Sequence, residues 1–227
     1  MGKKFVKLFA AMSALGLGLP SAAQADLAVE AHGGLMGIGA GIALELTPHI
    51  NLRAGINSYD LDVDVDDDEG LDYDASFDLD NQYLMLDFYP SSGGGFHLTA
   101  GYYLNNNEIG ASATVLNDND AQIGLRDALA GTVVRSAMTF DDSLYAGLGW
   151  GNSVADGLVH FGFEFGLVFQ GSPQIAVNVT CTPNLPNCLT DAGITQDDIN
   201  VEIQDLEDEV SDFDTWPMFQ FTVGINF

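Results

Sequence analysis

Six charged or titratable residues recur at alternate positions along a series of short apolar segments: Glu30, Glu45, Arg53, Asp87, His160 and Glu164. A single guanidinium among carboxylates is a charge network. Out of water it must be paired, and lining a gap it would select cationic solutes. Glu45 and Arg53 flank a short turn at 47–49, so the spacing predicts that they face each other. The four histidines, His32, His49, His97 and His160, are scattered. No nucleophile–base spacing can be read from them, which argues against an enzyme. No cofactor motif is present, and no metal-ligand set stands out.

Acids form two further groups. Asp60, Asp62, Asp64, Asp66, Asp67, Asp68, Glu69, Asp72 and Asp74 make one, and Asp197, Asp198, Glu202, Asp205, Glu207, Asp208, Glu209, Asp212 and Asp214 the other. Read as outer loops, they form an electrostatic funnel for cations or an oxygen-rich site for calcium or magnesium. The plainer alternative is solvation. The first group does not match the EF-hand spacing, because no glycine follows the third acid at the required offset. Cys181 and Cys188 are the only cysteines and, in an exported chain, read as a disulfide. Ile199, Ile203, Leu206, Val210 and Phe213 recur at helical spacing behind Thr195, a good N-cap, and predict a short acidic amphipathic helix.

The elements that must position these residues are strands. Apolar side chains alternate with small or polar ones near residues 27–31, 38–46, 50–56, 84–88, 96–104, 144–150, 159–169 and 219–227. The apolar set carries almost no charge; the other carries the six residues named first. That is an eight-stranded antiparallel transmembrane up-and-down β-barrel, polar inside and apolar outside. Gly33–Gly34 reads as a tight first turn. Turns near 47–49, 90–95 and 152–156 are short, and links near 60–80, 116–133 and 178–214 are long. The last strand places Phe219, Phe221, Val223, Ile225 and Phe227 on its greasy face and ends on an aromatic. This looks like the signal by which the barrel-assembly machinery recognises such chains.

Compartment follows from the first residues. Lys3, Lys4 and Lys7 precede an apolar stretch from about Leu8 to Leu19, then Pro20 and Ala23-Gln24-Ala25. This is the pattern of a secretory signal, with cleavage expected between Ala25 and Asp26 and a single barrel domain over 26–227. The mature chain would hold three arginines against 33 acids, a formal charge of −30. Nucleic-acid binding is excluded. The expected surroundings are outer-membrane lipid and lipopolysaccharide.

Several strand sequences also carry a resemblance. Tyr145-Ala146-Gly147-Leu148-Gly149-Trp150-Gly151-Asn152 is one, and Gly166-Leu167-Val168-Phe169-Gln170-Gly171-Ser172-Pro173 a second. The third is the acidic stretch leading into Trp216-Pro217-Met218; Leu86-Asp87-Phe88-Tyr89-Pro90 also fits. Together they resemble the carbapenem-associated outer-membrane protein (CarO) family. The resemblance implies an eight-stranded barrel and, more weakly, uptake of small solutes such as basic amino acids, with carbapenem passage as the associated phenotype. Two readings follow: a small-solute channel favouring cations, or a closed barrel whose acidic outer loops bind divalent cations or a surface partner.

Overall fold

The computed structural model describes residues 27–66, 71–118, 121–151 and 158–227. The strands are β1 (Leu27–Gly34), β2 (Gly37–Thr47), β3 (Ile50–Asp66), β4 (Leu71–Phe88), β5 (Phe96–Asn105), β6 (Glu108–Val115), β7 (Gln122–Ile123), β8 (Arg126–Asp127), β9 (Thr132–Thr139), β10 (Ser143–Trp150), β11 (Val159–Phe169), β12 (Gln174–Cys181) and β13 (Thr215–Asn226). Helices span Cys188–Ala192 and Gln196–Val210. No helix among the described residues is long and apolar enough to cross a membrane; the strands do the crossing.

Eight strands close into a barrel in the order β1, β2, β3, β4, β5, β10, β11, β13. The seam is β1 on β13, from Ala28 opposite Asn226 to Gly34 opposite Gln220. Closure leaves no unpaired backbone edge in lipid, the condition for a sheet to span a bilayer. Gly33 and Gly34 end β1 rather than forming its turn. Gly34 pairs with Gly37, so the turn is Leu35–Met36. Met36 is buried, because its long apolar side chain closes the lumen from above.

The expected loop at 60–80 is largely strand. β3 and β4 pair without a register break from Ile50 opposite Phe88 to Asp66 opposite Asp72. The far half of β4 then pairs with β6, β6 with β9, and β9 with β12. These strands continue β5, β10 and β11 past short breaks at 106–107, 140–142 and 170–173. Polar groups satisfy the backbone at each break. Asn107 Oδ1 accepts from Asp80 N at 3.0 Å, Asp142 Oδ1 from Asn105 N at 2.9 Å, and Asp214 O from Gln170 N at 3.0 Å. A five-stranded sheet therefore rises from one side of the barrel, while β1, β2 and β13 stop at the rim. It stands at the end remote from Leu27 and Phe227, which in such barrels faces outward.

The chemistry of the two faces inverts at the rim. Below it, Leu52, Ala54, Ile56, Leu84, Leu86 and Phe88 point to lipid while Arg53, Asn57, Tyr83 and Asp87 point inward. Above it, the same alternation puts Leu61, Val63, Tyr73 and Phe77 on the inward side and Asp60, Asp62, Asp74, Ser76 and Asp78 on the outward side. Lipid has been replaced by water as the outer medium, so the polar set moves out.

The helix Gln196–Val210 does not enter the lumen. Its Ile199 packs with Leu189 and Ile194 on a small core of Val115, Ile123, Ala128 and Val179. Thr195 caps it, and Asp198 completes a capping box.

Candidate functional site: a plugged lumen and an outer sheet

Inside the barrel the one inward cation is boxed in by two carboxylates. Arg53 donates to both oxygens of Asp87, through Nε at 2.6 Å and Nη2 at 2.8 Å. Nη2 also donates to Glu164 Oε2. Tyr145 OH donates to Glu164 Oε1 at 2.7 Å, and the Thr99 hydroxyl lies 2.8 Å from Asp87 Oδ1. His97 Nε2 is 3.3 Å from Glu164 Oε2, while its Nδ1 is 3.1 Å from the carbonyl of Gly151. Both ring nitrogens thus face acceptors. All of these side chains are buried. A forked guanidinium–carboxylate pair with its remaining lone pairs satisfied is the geometry that compensates desolvation. Asp87, His97 and Glu164 also offer ligand atoms within 4.8 Å of one another, a spacing fit for a metal. The guanidinium of Arg53, bonded to both carboxylates, is the cation that stands there.

Glu30 and His160 form a separate pair. His160 Nε2 is 3.2 Å from Glu30 Oε1, and its Nδ1 is 2.9 Å from Asn226 Oδ1. A third chain of amides runs toward the rim. His32 Nε2 lies 2.6 Å from Asn57 Oδ1, Asn57 donates to Asn81 at 2.6 Å, and Asn81 donates to Met36 O at 3.2 Å.

A layer of Met36, Tyr83, Met85, Tyr103, Tyr145, Val168 and Met218 also fills the lumen. Tyr83 and Tyr103, and Tyr103 and Tyr145, meet edge to face at 5.9 Å. The Tyr83 ring lies along its own wall, over its cross-strand partner Gly55 and on to Gly41 of the next strand, where its hydroxyl rests. A Cβ at either glycine would stand 2.5 Å from it, so only glycine admits the ring. The cavity beside Arg53, His97, His160 and Glu164 measures about 20 Å³, room for roughly one water.

The outer sheet carries a larger space. A groove of about 830 Å³ has Ser76, Gly110, Ser112 and Ala137 as its floor and Asp62, Asp74, Glu108, Arg135 and Asn178 around it. The registers place these residues on the outward face: Asp62 opposite Ser76, Ser76 opposite Gly110, Gly110 opposite Ala137, Ser112 opposite Arg135, and Arg135 opposite Asn178. Nearer the rim, Asp60, Asp78 and Glu108 lie side by side across three strands. Partial loss of solvent, then the charge of Asp60, raises the Asp78 carboxyl above its ordinary range. On the helix the opposite holds. Hydrogen bonds from the Thr195 hydroxyl and backbone keep Asp198 below the usual carboxylate range. The β7–β8 hairpin holds that helix through Gly124 N to Glu202 Oε2 at 3.0 Å and Arg126 Nε to Asp198 Oδ1 at 3.8 Å. Cys181 and Cys188 form a disulfide tying β12 to the short helix.

Of the residues singled out from sequence, Arg53, Asp87 and Glu164 come together, and Glu30 and His160 form their own pair. Glu45 does not face Arg53. Ala43 stands opposite Arg53 and Glu45 opposite Asn51, with a register shift between Glu45 and Thr47. Arg53 reaches instead across β4 and the lumen, where its length finds Asp87 and Glu164. His97, Thr99 and Tyr145 are additional members, all on the inward period of their strands. Asp62, Asp64 and Asp66 belong to β3 rather than to a loop, because acids and apolar residues alternate there. Asp67, Asp68, Glu69 and the expected cleavage site at Ala25/Asp26 lie outside the described residues. Phe219, Phe221, Val223, Ile225 and Phe227 are exposed, those of β13 on its lipid-facing side.

The barrel and its aromatic outer wall define the class: an outer-membrane β-barrel of eight strands. The particular architecture is similar to that of CarO. The crystal structure of Acinetobacter baumannii CarO2 superposes with a TM-score of 0.59 at 17% identity, over 90% of this chain and 100% of that one. The crystal structure of Acinetobacter baumannii CarO does so with a TM-score of 0.57 at 19% identity, over 88% and 97%. No protein-family model and no curated protein matches the sequence.

Proposed function

We propose that this protein is a closed outer-membrane barrel, not a standing pore, and that its working part is the acidic outer sheet. The observation that carries the reading is the plug. Arg53 is bonded to two carboxylates inside a buried network, the tyrosine–methionine layer fills the lumen, and the cavity beside the network has about 20 Å³. A cationic solute passing through would have to displace a paired guanidinium and several buried rings, each at a cost of kcal/mol. The acids of the outer sheet concentrate cations at the surface instead.

Flux into liposomes carrying the refolded mature protein tests this, comparing ornithine and arginine with glutamate and a neutral sugar. The expected result is no entry above empty liposomes for any solute, with folding verified. Faster entry of the cationic solutes, abolished by high salt, would restore the channel reading.

A further inference from the structure

The outer sheet has two ends, and they are finished differently. At the β12 end the helix Gln196–Val210 covers the inward face, with Ile199 packed on the core of Val115 and Val179, and the Cys181–Cys188 disulfide ties the corner down. The β3 end has no such cover. β2 leaves β3 at Ser58, where its last partner is Ile38. From Tyr59 to Asp66, β3 pairs with β4 on one side only. Among the described residues no strand pairs with its other side, and no loop or turn backbone bonds to this stretch.

An unpaired strand edge presents a row of N–H and C=O groups, a template for one more strand. Proteins blunt such edges with proline, a bulge or a covering element. Tyr59–Asp66 contains no proline, and its register with β4 runs unbroken. The side chains beside the edge are also uncovered. On the inward face Tyr59, Leu61 and Val63 are exposed, as are Tyr73 and Phe77 of the neighbouring β4. A strand added to the edge would lay alternate side chains beside Leu61 and Val63 and withdraw that apolar surface from water.

Charge on the outward face picks the occupant. Asp60 and Asp62 are exposed there, and Asp60 stands opposite Asp78. A second copy of this chain, pairing edge to edge, would bring its own Asp60 and Asp62 onto the same face, and facing like charges are destabilising. The carboxylates thus bar self-pairing. They favour instead a strand with Lys or Arg at alternate positions.

We propose that the free edge of β3, Tyr59–Asp66, docks an extended cationic segment of a partner protein by strand addition, with basic side chains beside Asp60 and Asp62 and apolar ones beside Leu61 and Val63. The inference rests on reading the outer sheet as the working surface and names the class of its partner.

The test uses the refolded mature protein in phosphatidylcholine nanodiscs. The probe is the labelled peptide acetyl-Lys-Val-Lys-Val-Lys-Val-Lys-Val-amide, followed by fluorescence anisotropy. It is compared with its Glu-Val counterpart, with a block peptide carrying all its lysines first, and with the alternating peptide N-methylated at every amide. Each of these should bind at least about tenfold more weakly, having lost respectively the charge, the two-faced pattern and the backbone donors. Binding of the probe should slow hydrogen exchange at alternate amides of Tyr59–Asp66 and leave β12 unchanged. Asp60→Lys with Asp62→Lys should reverse the preference toward the Glu-Val peptide. Equal binding of the block or the N-methylated peptide would overturn the proposal, reducing it to electrostatic adsorption. So would no binding of the probe, unchanged exchange in Tyr59–Asp66, or a folded charge-reversed variant that still prefers Lys-Val. The peptide comparisons and the exchange need only the unaltered protein, so a charge-reversed variant that misfolds leaves them decisive. None of these measurements depends on the lumen. Failure here leaves the closed-lumen result standing, and flux of cationic solutes would overturn that reading alone.

Discussion

The two halves of β3 and β4 are one continuous ladder with one alternation, yet they solve opposite problems. In the lower half, residues that cannot meet lipid turn inward and satisfy one another: Arg53 with Asp87 and Glu164, Asn57 with Asn81. In the upper half, apolar residues turn inward, and Asp60, Asp62 and Asp78 turn to water. Charge below is buried and paired; charge above is exposed and crowded. The same residue type should therefore carry different energies in the two regions, and four variants probe the contrast.

The largest effect is expected at Arg53. Arg53→Ala strands Asp87 and Glu164 in a buried site and should cost about 3–5 kcal/mol of barrel stability, read by urea unfolding in detergent. It should also raise conductance, because the guanidinium stands across the lumen. Arg135→Ala, the same substitution in the upper region, should change stability by less than about 0.5 kcal/mol. Equal losses at the two sites would erase the distinction between regions.

Next is the disulfide. Cys181→Ser with Cys188→Ser opens a short ring and should cost about 2 kcal/mol. That loss should be confined to the outer sheet and its helix, seen as faster hydrogen exchange there with the barrel's urea midpoint unchanged. A shifted barrel midpoint would show the two regions fold as one unit.

The smallest effect is at Asp78, whose carboxyl is raised by lost solvent and by Asp60. A folded-state pKa raised above the unfolded value favours the protonated acid. Stability is therefore fullest at low pH and declines as pH rises through the raised value. Asp78→Asn should relieve this and stabilise the outer sheet at neutral pH by roughly 0.3 kcal/mol after solvent screening. The gain should vanish in acid. A gain that persists below the ordinary carboxylate range would assign it to something other than charge.

The barrel itself was legible from period-two patterning, because lipid outside and a polar lumen inside impose opposite demands on alternate residues. The helix Gln196–Val210 and its Thr195 cap were legible for the same reason, at a period of 3.6. The outer sheet was obscured by its own acidity. Tyr59-Asp60-Leu61-Asp62-Val63-Asp64-Val65-Asp66 alternates as strictly as any membrane strand, but with the polarity of a water-facing sheet, and an acid count hides that period. The partners of Arg53 were only partly legible. Which inward residues meet across a lumen depends on strand stagger, which face assignment does not contain. A parity argument lists His97, Thr99 and Tyr145 as inward without saying that they converge on Glu164.

The tall sheet stands on the side of the barrel away from its seam. The chain's first and last strands meet on the low side, through the short ladder from Ala28 and Asn226 to Gly34 and Gln220. The final zippering of the wall therefore involves none of the tall strands. The high side lies away from the join, so the chain can finish its outer architecture and its membrane closure as separate events.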